Sequence, residues 1–221
     1  LIWNLGNRYM SDLFGLSLLI TTTYFFLSGI HLKIRKQLII AIFLVGILSG
    51  VRISFLPFFI PFFLFVFFQS QLNFIKSSAI ILAGVMVWMI PLIFFTGFEN
   101  LYQISKNHIS GHFFKWGGSV ITSDFSLLDR LLKLIESIWA DGMGGFWKGR
   151  SPLTIVLSIG WISSIYSFLK TKNTANDKIK ILTNLLIASV LVYFGWIFLF
   201  QNVVYKPRHI IPFLPFILML S

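Results

Sequence analysis

Apolar residues run along this chain in long uncharged stretches, broken by short clusters of basic residues. The uncharged runs occupy 13–30, 38–51, 53–68, 77–98, 152–169, 181–200 and 210–220. A helix needs about 20 apolar residues to cross a hydrocarbon core of about 30 Å. Several of these runs approach that length, and the run at 210–220 is shorter. The pattern predicts an all-α, polytopic transmembrane bundle with about seven spans, forming a single domain over 1–221.

The stretch 38–68 admits two readings. As one helix its 31 residues would extend roughly 46 Å at about 1.5 Å per residue. As two helices it would break near Ser49-Gly50-Val51-Arg52. With a break, loops 31–37, 69–76 and 170–180 fall on one side. They carry Lys33, Arg35, Lys36, Lys76, Lys170, Lys172, Lys178 and Lys180, against the single acid Asp177. Basic loops stay cytoplasmic, so the charge bias favours two helices and places these loops inside.

The outer side then receives 1–12, Arg52, 202–209 and the long segment 99–151. Ser126-Leu127-Leu128-Asp129 reads as the start of a helix with a side-chain cap. Leu127, Leu128, Leu131, Leu132, Ile135, Ile138 and Trp139 follow at helical spacing, and Asp129, Arg130, Lys133 and Glu136 are expected on the opposite face. That pattern predicts an amphipathic helix in the outer interface. Gly142, Gly144, Gly145 and Gly149 read as a flexible stretch before Ser151-Pro152, a suitable cap and first-turn pair for the next span.

Composition agrees with a lipid environment. Apolar residues make up 57% of the chain and charged residues 11%, against about 25% charged in a soluble domain. Mean hydropathy is +0.86. The net charge of +11 sits in loops beside apolar runs, which suits anionic lipid rather than nucleic acid. Cysteine is absent, which excludes disulfides, thiolate metal sites and a cysteine nucleophile. The opening Leu1-Ile2-Trp3 and the ending within an apolar run are expected of an internal fragment.

No charge falls in the middle of a span, where ion-coupled transporters usually hold one. The ionisable residues instead gather at the expected outer ends: Arg8, Asp12, Arg52, Lys206 and Arg208. Asp12 suits a helix N-cap or a chemical role. Arg52 suits a snorkelling helix end or, through its planar fork, a phosphate. His108 and His112 are four apart, but no acid completes a zinc signature.

Four stretches together resemble the GT-C class of integral-membrane glycosyltransferases, such as protein O-mannosyltransferases and lipid A aminoarabinose transferases. They are Arg8-Tyr9-Met10-Ser11-Asp12, Gly46-Ile47-Leu48-Ser49-Gly50-Val51-Arg52-Ile53-Ser54, Trp88-Met89-Ile90-Pro91 with Thr96-Gly97, and Lys206-Pro207-Arg208-His209-Ile210-Ile211-Pro212-Phe213-Leu214-Pro215. In the last, His209 stands where tyrosine is more usual. The resemblance implies transfer of a sugar from a polyprenyl-phosphate donor to a glycan, lipid or protein acceptor. It places the chemistry on the outer face of a membrane, which for a bacterium is the plasma membrane. It also implies a general base in an outer loop ahead of Leu1, with Asp12 matching a second acidic position that in some relatives helps hold a divalent metal or the acceptor. Arg8, Arg52, Lys206 and Arg208 are then expected around the lipid phosphate, and Tyr102, His112 and Trp116 around the acceptor. Two other classes share the same pattern: an envelope polysaccharide polymerase or ligase, and a non-enzymatic lipid or solute transporter.

Overall fold

The computed structural model describes residues 11–69, 72–111, 114, 125–174, 176–202 and 207–220, and among these the chain is helix and turn without strand. In chain order the helices are α1 (Ser11–Leu32), α2 (Arg35–Arg52), a 3-10 segment (Ile53–Phe59), α3 (Ile60–Phe68), α4 (Phe74–Thr96), α5 (Phe98–Ser110) and α6 (Leu127–Glu136). A π-helical turn (Ser137–Gly142), α7 (Thr154–Thr174), α8 (Asp177–Phe200), a second 3-10 turn (Pro207–Ile210) and α9 (Phe213–Leu220) complete the order.

Among the described residues, four helical segments are long and apolar enough to cross a membrane: Asp12–Leu32, Arg35–Phe68, Phe74–Thr96 and Asp177–Phe200. The apolar part of α7, Thr154–Phe168, is shorter, and α9 has 8 residues.

The segment Arg35–Phe68 is not straight. At Arg52 the backbone leaves the helical region, with φ −151° and ψ 80°, and the chain turns back. Gly15, near the start of α1, lies against Arg52 and Phe55. Phe26, further along α1, stacks on Phe62 at 5.2 Å and packs edge-on to Phe63. Phe65 and Gln69 share a cleft with Ile30, His31 and Lys33 at the far end of α1. Residues 53–69 therefore descend beside α1, as a break at Arg52 requires. The sequence shows no polar turn there; a 3-10 segment makes the reversal, with Pro57 inside it and Pro61 in the first turn of α3, where a missing N–H costs nothing.

Lys33, Gln69 and Lys178 line the same cleft. The loops after α1, after α3 and before α8 thus meet at one end of the bundle, the basic end. Asp12 and Arg52 mark the opposite end.

The core between these ends is largely phenylalanine. Phe26, Phe55, Phe58, Phe59, Phe62, Phe213 and Phe216 are buried in one core with Tyr193 of α8, and Phe58 stacks on Phe216 at 4.6 Å. A closer contact joins α2 to α4. A Cβ on Gly46 would lie 2.3 Å from the Ile81 carbonyl oxygen, and one on Gly84 2.2 Å from that of Phe43. Small residues let two membrane helices approach backbone to backbone. Trp88 lies over Gly50 and donates its Nε1–H to the Gly46 carbonyl at 3.1 Å. The outer surface of α4 is apolar, with Phe94 and Phe95 more than four-fifths exposed. Side chains like these need lipid or further helices as solvent.

Candidate functional site

The site is built where α1 begins and α2 ends. Asp12 sits in the first turn of α1, where the helix dipole favours a carboxylate. It is buried. Arg52, at the last position of α2, donates from Nη2 to Asp12 Oδ1. Gly15 makes this reach possible: a Cβ there would lie 2.8 Å from Arg52 Cγ. The second carboxylate oxygen, Oδ2, and Arg52 Nε are buried without a hydrogen-bond partner.

Arg208 joins the pair from the 3-10 turn after α8 and lies near enough to repel Arg52 electrostatically. Tyr193 holds this turn in place. It is fully buried among Phe55, Phe58 and Phe213, and its hydroxyl donates to the His209 carbonyl at 3.2 Å. Three elements distant in sequence thus deliver one carboxylate and two guanidinium groups to one end of the bundle.

The expected site residues divide as follows. Asp12 and Arg52 pair directly, and Arg208 lies within electrostatic range of Arg52. Tyr102 does not join them: it is exposed on α5, a helix with no buried residue, and no hydrogen bond or ion pair links it to the cluster. Arg8, Lys206, His112 and Trp116 lie outside the described residues. No group of three or more His, Asp or Glu side chains converges among the described residues.

Arg130 corrects the sequence reading of α6. The Ser126 cap is present, its Oγ accepting from Asp129 N at 3.1 Å. Leu127, Leu128, Leu132 and Ile135 are exposed, but Arg130 points inward with Leu134 and is 1% exposed. Its Nε donates to the Phe198 carbonyl and its Nη2 to that of Gln201, both at 2.5 Å. These carbonyls belong to the end of α8, where the helix leaves acceptors unsatisfied and its dipole attracts a cation. Burial lowers the Arg130 pKa, yet a guanidinium stays charged. The arginine thus caps α8 and pins α6 to it. Helical periodicity assigned Arg130 to the polar face because its neighbours there are charged; nothing in the sequence marks its carbonyl partners, about 70 residues away.

The glycine-rich stretch is likewise tied down rather than loose. Gly145 N donates to the Trp139 carbonyl at 2.8 Å, Phe146 N to Ser158 Oγ at 2.7 Å and Trp161 Nε1 to the Met143 carbonyl at 2.9 Å. Gly144 and Gly149 adopt positive φ, which explains glycine at those two positions. Gly142 is needed for another reason, since a Cβ there would meet Leu214 at 2.5 Å.

No protein-family model matches the chain, and no curated protein or solved structure matches it.

Proposed function

We propose that this chain belongs to a GT-C-type membrane glycosyltransferase that moves a sugar from a polyprenyl-phosphate donor to a glycan, lipid or protein acceptor. In this reading the bundle crosses the membrane about seven times. Its basic end faces the cytoplasm, and the Asp12 cluster opens to the outer side of a plasma membrane. Helix α6 lies in the outer interface with its leucines toward lipid.

One observation carries the proposal. Three of the stretches on which the GT-C resemblance rests supply Asp12, Arg52 and Arg208, of which the first two form an ion pair and the third lies within electrostatic range of Arg52. The remaining stretch packs beside them, with Trp88 on Gly46 and Gly50. Convergence of separately identified stretches is what a shared site requires, and independent helix ends do not need it.

The chemistry suits the residues. The acceptor hydroxyl oxygen attacks the anomeric carbon as the bond from that carbon to the phosphate oxygen breaks. The electron pair leaves with the phosphate, and the hydroxyl proton passes to a carboxylate base. Charge therefore grows on the phosphate. Arg52 and Arg208 supply guanidinium forks for it, and in a water-poor site such contacts act strongly on the transition state. Asp12 orients Arg52 and offsets part of the repulsion between the two arginines.

The test is donor class and sidedness together. Membranes containing the protein should transfer sugar from a polyprenyl-phosphate donor and not directly from a nucleotide sugar. An impermeant thiol reagent should label Lys148→Cys but not Lys36→Cys in intact cells. Absence of transfer from any lipid-linked sugar would count against the enzyme, and reversed labelling against the orientation.

A further inference from the structure

The basic end of the bundle holds a cleft that the proposed chemistry does not use. It has a volume of about 170 Å³ and lies between the α1–α2 turn, the end of α3 and the start of α8. Lys33, His31 and Lys178 stand on its rim, and Ile30, Phe65 and Leu182 form apolar walls.

We propose that this cleft is a binding site for the headgroup of an anionic phospholipid. The inference needs only the membrane-spanning architecture and is independent of the reading as a glycosyltransferase.

The charge is one-sided. No carboxylate lines the cleft; the nearby Asp177 is turned to solvent and pairs with Lys180 at 3.8 Å. Lys178 also lies in the first turn of α8, whose N-terminal dipole adds positive potential. A cation-rimmed cleft with hydrocarbon walls matches a phosphate joined to acyl chains better than a free anion, which gains nothing from the walls. The volume accommodates a headgroup while the chains continue along the lipid-facing helices.

Lys33 adds a second observation. Its φ is +57°, and Ile34 N donates to the Gly29 carbonyl at 3.0 Å, closing the end of α1. Glycine usually fills the left-handed position of such a closure. A lysine there holds a backbone conformation that glycine would adopt without strain, and it sets the lysine side chain at the rim of the cleft.

This makes Lys33→Gly a discriminating variant, because it relieves strain while removing the charge. The measurement is native mass spectrometry of the full protein with phosphatidylglycerol or phosphatidylcholine, alongside thermal unfolding. The wild type should retain phosphatidylglycerol in preference. Lys33→Gly and Lys178→Gln should each weaken it about fivefold, and the double variant roughly 25-fold. Lys33→Gly should unfold no earlier than wild type, and Lys76→Gln, outside the cleft, should bind normally. Millimolar inorganic phosphate should not displace the lipid. Equal retention of the two lipids, or normal phosphatidylglycerol binding by the double variant, would overturn the site. Displacement by phosphate alone would make it a free-anion site and overturn the lipid assignment.

Discussion

Arg52 and Asp12 form an ion pair across 40 residues of chain, one closing α2 and the other opening α1. The pair lies where α2 turns back into the 3-10 segment, so it fixes the reversal and the candidate site together. Asp12 is nearly inaccessible, while the Arg52 side chain is 19% exposed. Removing only the acid leaves a largely buried guanidinium facing Arg208. Asp12→Asn should therefore lower stability by about 3 kcal/mol, with Asp12→Asn/Arg52→Gln costing less than the sum of the two single changes. Thermal unfolding of the four proteins in one detergent measures this. Additive losses would show that the two side chains act independently. An asparagine would still serve a simple helix-capping role, so full stability of Asp12→Asn would reduce the pair to a cap.

Gly46 and Gly84 make a second prediction. A methyl group on Gly46 would strike the Ile81 carbonyl oxygen and the Gly84 backbone, neither of which can swing aside. Gly46→Ala should cost about 1–3 kcal/mol by prying α2 from α4. It should also shift the fluorescence of Trp88, which rests on the same helix. Gly195→Ala, with open space around the added methyl, should be neutral or mildly stabilising through helix propensity. Equal effects of the two alanines would show that the close crossing is not what glycine serves at position 46.

Arg130 yields a third. Arg130→Met keeps much of the buried stem but removes both donors to the end of α8, at a cost of about 3 kcal/mol. Hydrogen exchange should rise in α6 and in the last turn of α8 together, because one side chain ties them. Arg130→Lys should fall between the two, since an ammonium lacks the fork that reaches two carbonyls. Faster exchange in α6 alone would show that α8 is capped by other means.

Much of this architecture is written in hydropathy. The uncharged runs 13–30, 77–98 and 181–200 mark the bodies of α1, α4 and α8, but α1 takes in Asp12, α4 begins ahead of Lys76, and α8 begins at Asp177 and runs through Lys178 and Lys180; the reversal at Arg52 follows from the charge bias of loops rather than from any turn residue. Asp12, Arg52 and Arg208 were visible as ionisable groups at span ends, because charge is scarce in this chain and its positions carry information. Tyr193 was hidden: within an apolar run a tyrosine looks like another aromatic, and only the packed structure shows that it holds the His209 carbonyl. Arg130 was hidden for the opposite reason, since an arginine among Asp129, Lys133 and Glu136 looks like one more solvated charge. Both hold their neighbouring elements through backbone carbonyls, which every residue has and no sequence pattern distinguishes.

The central claim is that Arg208 and Arg52 hold a lipid-linked phosphate as it leaves the sugar, and transfer by Arg208 variants tests it most directly. A guanidinium can grip phosphate through two parallel hydrogen bonds, whereas lysine acts as a point charge. The measurement is sugar transfer from a polyprenyl-phosphate donor, normalised to the folded protein in the membrane. Arg208→Ala should lose about 2–4 kcal/mol of transition-state stabilisation, or about 30- to 1000-fold in rate. Arg208→Lys should retain only a minor part of wild-type activity. An Arg208→Lys protein that transfers sugar at the wild-type rate would contradict the phosphate grip and leave Arg208 as a lipid-facing charge.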